Sequence, residues 1–79
     1  MRITYDPQVD AAYIYLVDEI RPGGVARTYL CDPREVDGQI NLDFDPEGRL
    51  LGIEVLDASR KLPENVLREA PLTLPDVDG

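Results

Sequence analysis

Seventy-nine residues with 43% hydrophobic content make one small globular domain, and a chain this short buries only about 60% of its unfolded surface. Sixteen acidic residues against eight basic ones give a net charge of −8, which argues against nucleic acid and anionic membrane as direct partners and leaves small molecules, cations and basic proteins open. With no histidine and a single cysteine, Cys31, the chain lacks an imidazole to activate Ser59, an intramolecular disulfide and a cysteine-based metal cage.

The longest apolar run, "AAYIYLV", is far below the roughly 20 residues that span a membrane. The start, "MRITYDP", has no apolar segment of signal-peptide length, so a soluble cytoplasmic protein is expected. Turn signals rich in Pro, Gly and Asp divide the chain into five β-type runs, over residues 2–5, 11–17, 25–30, 39–44 and 49–56. The pattern predicts an α+β fold, an antiparallel β-meander with one short C-terminal helix over 63–70 packed on the sheet. Pro63 stands at the helix start, Leu62, Val66, Leu67 and Ala70 form its apolar stripe, and Pro71 stops it. Residues 1–70 read as the domain and 71–79 as an acidic, proline-bracketed tail.

Alternation assigns the faces. In the second strand Ala12, Ile14 and Leu16 share one side while Ala11, Tyr13, Tyr15 and Val17 share the other, which predicts a central strand covered on both sides. In the fourth, Ile40, Leu42 and Phe44 point inward and Gln39, Asn41 and Asp43 outward. The mixed "VARTYL" reads as an edge.

The segment "DFDPEGRLLGIE" has the acids and the glycine of a calcium loop, but strands flank it where that motif needs helices. A type I turn at Asp45 to Gly48 pairs Phe44 with Arg49, Leu42 with Leu51 and Ile40 with Ile53. That register sets Glu54 opposite Gln39 and Asp43 opposite Leu50, with the two carboxylates roughly 13 Å apart at ~3.3 Å per strand residue. No metal site and no cofactor are expected.

The stretches "ITYDPQVDAAYIYL" and "NLDFDPEGRLLGIEVLDAS" resemble a small bacterial family known as domain of unknown function 2283. The shared features fall on Tyr5, Asp6, Asp10 and Tyr13, and on Gly48, Leu50, Gly52, Ile53 and Glu54, with Ala12 standing where a larger apolar residue is expected. The match covers residues 2 to about 59. The resemblance implies a small β-rich fold and no assigned activity.

Four acidic-turn residues take structural readings: Asp6 opens a turn before Pro7, Asp10 caps the same turn, and Asp45 and Gly48 bracket the second hairpin. Glu54, with Asp43 and Asn41 on its face and Gly52 beside it, is the candidate for binding a ligand or partner, because glycine within a strand marks a close approach. No catalytic residue is assigned. The composition favours a non-enzymatic interaction module that forms a homodimer and meets a basic protein, an antitoxin-like role being the sharpest version. The alternative is a small-ligand binder or carboxylate-based enzyme built on Glu54, Asp43 and Asn41.

Overall fold

Five antiparallel strands form one sheet: β1 (Arg2–Asp6), β2 (Ala11–Tyr15), β3 (Arg27–Leu30), β4 (Ile40–Phe44) and β5 (Leu50–Leu56). The computed structural model describes residues 1–70, and the tail read from the sequence at 71–79 lies outside the described residues. The fold is α+β and mostly sheet, with helical turns concentrated toward the C-terminal end. No helix among the described residues is long and apolar enough to cross a membrane.

The strand order is β1-β2-β5-β4-β3. The β1–β2 hairpin and the β3–β4–β5 run are meanders, but β5 sits between β2 and β4 instead of at the end of a sequential series. Residues 16–26 carry the chain from β2 past two strand positions to the far edge. β2 thereby gains the longest strand as its second neighbour, and β3 is left at the edge with all four of its residues exposed.

Turn chemistry explains the local geometry. Gln8 N–H donates to Asp6 Oδ1 at 2.9 Å, closing an Asx turn before β2. In the second hairpin, Gly48 N–H bonds the Asp45 carbonyl and Asp45 Oδ1 accepts from the backbone of Glu47 and Arg49. Gly48 has φ +83°, a conformation that favours glycine and inserts one residue into the turn. A second irregularity lies between Asp43 and Phe44, where Leu51 is left over in the pairing. The observed pairs are therefore Ile40 with Val55, Asn41 with Glu54, Leu42 with Ile53 and Asp43 with Gly52. The expected register is two residues out. Because a strand's side chains repeat every two residues, two single-residue insertions restore the face, and Ile40, Leu42, Ile53 and Val55 still share one side.

Three helical turns complete the described residues: α1 (Pro33–Val36), α2 (Ala58–Lys61) and α3 (Glu64–Glu69). Only α3 is anticipated by sequence periodicity, and Pro63 lies at its N-cap. α1 arises from an Asp-Pro start: the Asp32 carboxylate accepts from Arg34 N–H, Pro33 occupies the first turn, and Asp37 at φ +50° ends it. α2 follows Asp57, at φ +56°. Such four-residue turns are too short for a 3.6-residue period to register.

The core forms where these turns meet the sheet. Ala12, Val55 and Ala58 are buried, with Tyr5, Ile40, Ile53, Leu62 and Leu67 packed against them. β2 is interior to the sheet as expected, with the apolar core and helical turns on its Ala12 side. Its other side carries Tyr13 and Tyr15, with rings 4.6 Å apart between centroids, and the Tyr13 hydroxyl bonds Asp43, so this side is polar in place of the apolar cover expected on both.

Candidate functional site

The polar side of the sheet brings together residues from four strands. The β2–β5 pairing sets Tyr13 opposite Glu54, and β4–β5 sets Asn41 opposite Glu54 and Asp43 opposite Gly52. The β3–β4 pairing adds Thr28 opposite Asp43. Directly paired residues share a face, so these side chains project together.

Asp43 is the hub. Tyr13 Oη donates to Asp43 Oδ2 at 2.5 Å, and Thr28 Oγ1 donates to Asp43 Oδ1 at 2.6 Å. Asn41 Nδ2 donates to Glu54 Oε1 at 2.8 Å. Gly52 explains the reach of the tyrosine across β5: a Cβ at this position would come within 2.4 Å of Tyr13 Cε1 and 2.5 Å of its Oη. The ring lies over the bare glycine backbone and extends past it to β4. Desolvation, the hydrogen bond to Asp43 and the nearby carboxylate charges all raise the phenol's pKa above its usual value of 10.0.

The arrangement corrects the expected separation of Glu54 and Asp43. Glu54 opposes Asn41 in place of Gln39, and Asp43 opposes Gly52 in place of Leu50. The two acids are diagonal neighbours on adjacent strands, about 7–8 Å apart between their Cα atoms, and they flank Tyr13. Sequence reading gathers Glu54, Asp43 and Asn41 on one face but misses Tyr13 and Thr28 as their partners. The signal for Tyr13 is the glycine in β5, which needs a large side chain above it.

The turn residues lie elsewhere. Asp10, at φ +53°, binds across 49 positions of sequence rather than within its own turn. Its backbone carbonyl accepts from Ala58 N–H, and its carboxylate accepts from Ser59 N–H at 3.0 Å, Ser59 Oγ at 2.6 Å and Tyr5 Oη at 2.7 Å. These bonds, the Ser59 hydroxyl first and Tyr5 next, lower its pKa from the usual 3.8. Asp10 thus ties the first hairpin to the start of α2. A groove of about 370 Å³, lined by Met1, Arg2, Ile3, Val66, Glu69 and Ala70, lies between β1 and α3 and contains none of these site residues.

A family model described as "Protein of unknown function (DUF2283)" matches residues 2–59, nearly three-quarters of the chain. The chain belongs to this family. The match takes in all five strands and stops at Ser59, so it includes both the polar face and the Asp10 tie but leaves out α3. No curated protein and no solved structure matches the chain.

Proposed function

We propose that this protein is a non-enzymatic interaction module that works as a symmetric dimer and uses its acidic surface to meet a basic protein partner. The observation that carries the reading is the open edge of β3. Cys31 N–H bonds the Ile40 carbonyl, so Cys31, Tyr29 and Arg27 direct their backbone groups toward β4, while Thr28 and Leu30 direct theirs outward. Unpaired backbone donors and acceptors on an edge are a template for another strand.

That edge is complementary to itself. A two-fold axis through Tyr29 pairs Thr28 of one copy with Leu30 of the other, using every outward backbone group of the two residues. Tyr29 then meets its own copy, Arg27 lies opposite Cys31, and no like charges oppose. Tyr29 and Leu30, 57% and 62% exposed, gain the apolar cover that they lack in the monomer. The small core gives a reason to associate: among the described residues the buried apolar ones are Ala12, Val55, Ala58 and Ala70.

The charge of −8 supports the second half of the reading, since a basic protein is the partner that such a surface attracts and orients. A small basic toxin is one such partner. The non-enzymatic reading is supported by Tyr13, whose hydroxyl is committed to Asp43 and whose raised pKa disfavours a phenolate base at neutral pH.

Light scattering tests the dimer. At high micromolar concentration the expected mass is twice the 8.8 kDa of one chain. Tyr29→Glu, which sets two carboxylates against each other at the axis, is expected to give monomer with unchanged far-UV circular dichroism. A wild-type monomer at that concentration overturns the reading.

A further inference from the structure

Three hydrogen bonds of the polar face are made inside it. Tyr13 Oη and Thr28 Oγ1 donate to Asp43, and Asn41 Nδ2 donates to Glu54. The capacity left over is mostly for accepting: beside one N–H of Asn41 Nδ2, it is the second oxygen of Glu54, the remaining lone pairs of Asp43, and Asn41 Oδ1. Asn41 is only 8% exposed, and its Oδ1 is a buried acceptor with no partner among the described residues. A buried acceptor in this state calls for a donor. The amide cannot turn over to relieve it, because that would set its carbonyl against the Glu54 carboxylate. The residue paired with Glu54 thus keeps a buried oxygen without a donor among the described residues.

We propose that this face binds the guanidinium of an arginine side chain on the basic partner, with Glu54 and Asn41 Oδ1 accepting its N–H groups and Asp43 balancing its charge. Guanidinium matches the unused capacity in kind: it is planar, always charged, and carries five N–H donors and no acceptor. An ammonium offers three donors at one point and fits paired acceptors less well. The aromatic wall suits the same group. Arg2 of this chain already places its guanidinium 3.9 Å from the centroid of Tyr15, and Tyr13 packs against Tyr15. Leu30, the cross-strand neighbour of Asn41 on the edge strand, is exposed.

The inference rests on the reading of the protein as an interaction module and names the chemistry of its partner, yet its test does not depend on β3 pairing. The full chain, labelled with ¹⁵N, is titrated with N-acetyl-arginine amide and, at matched ionic strength, with N-acetyl-lysine amide. The expected result is a saturable shift of the Asn41 side-chain amide and the Gly52 N–H, at least tenfold tighter for the arginine compound. Glu54→Gln, which keeps the shape of the side chain, is expected to weaken it at least tenfold, and Tyr29→Glu is expected to leave it unchanged. Equal shifts with both compounds, or none with either, overturn the proposal. In that case the Asn41 oxygen is satisfied by water and the face is generally acidic. A monomeric wild type that still binds arginine removes the dimer and leaves this site standing.

Discussion

The two faces of the sheet are held by different forces. The helix-side face relies on undirected apolar contact around small side chains, with Ala12, Val55 and Ala58 as its buried centre. The polar face relies on directed bonds, three short contacts onto two carboxylates and a tyrosine laid over a glycine. Apolar contact tolerates exchange as long as volume is kept, whereas a bonded network depends on the position of each atom. The first face therefore tolerates exchange of its side chains, and the second does not.

This division is broken most strongly at Val55. Val55→Ala deletes two buried methyl groups beneath α2 and should cost about 2 kcal/mol from transfer and cavity terms. For a domain of this size that lowers the melting temperature by roughly 8–16 °C. A loss below about 0.5 kcal/mol in chemical denaturation would show that the helix-side face is not the main source of stability. On the polar face, Gly52→Ala inserts a methyl where Tyr13 now lies, and should cost about 1.5 kcal/mol as an overpacked site. In a Tyr13→Ala background the same change has nothing to strike, and the stiffer unfolded chain should make it stabilising by about 0.5 kcal/mol. A cost that persists without the tyrosine would mean that Gly52 serves its own backbone.

Face assignment was legible in the sequence because a two-residue period survives local errors. Ile40, Leu42, Ile53 and Val55 share the apolar side although Gly48 and Leu51 each shift the pairing by one residue. Strand order was less legible. Nothing local in "QINLDF" or "RLLGIEVL" records that β5 pairs with β2, and that pairing alone brings Tyr13 within reach of Asp43, 30 positions away. Asp10 shows the same limit: its turn chemistry reads as local, while its acceptor capacity is taken up by Ser59. Hydrogen bonds between distant strands depend on topology, which periodicity does not encode.

Tyr13→Phe removes the hydroxyl bonded to Asp43 and keeps the ring over Gly52, and should cost about 1 kcal/mol near neutral pH. The phenol's pKa is raised in the folded state, so its contribution is fully present below the usual 10.0 and is lost as pH rises through and beyond it. Wild type should therefore lose stability above pH 10 faster than the variant. If denaturation midpoints of the two proteins fall in parallel through that range, the phenol is not held neutral by Asp43.

The smallest effect at neutral pH is expected at the tie between the first hairpin and α2. Asp10→Asn retains an oxygen for Ser59 N–H and Tyr5 Oη and offers its amide N–H to the Ser59 hydroxyl, so the contacts persist in weaker form. What the variant removes is the charge. A carboxylate with a lowered folded pKa stabilises above its unfolded value of 3.8, and that contribution falls away as pH drops through the lower folded value. The gap between wild type and Asp10→Asn should thus be constant from pH 7 to about 5 and shrink below 3.8. Asp32 and Asp45 also have lowered pKa values, but they titrate in both proteins and leave the difference to Asp10 alone. A gap that stays constant down to pH 2 would mean that the shape of the side chain, and not its charge, joins the hairpin to α2.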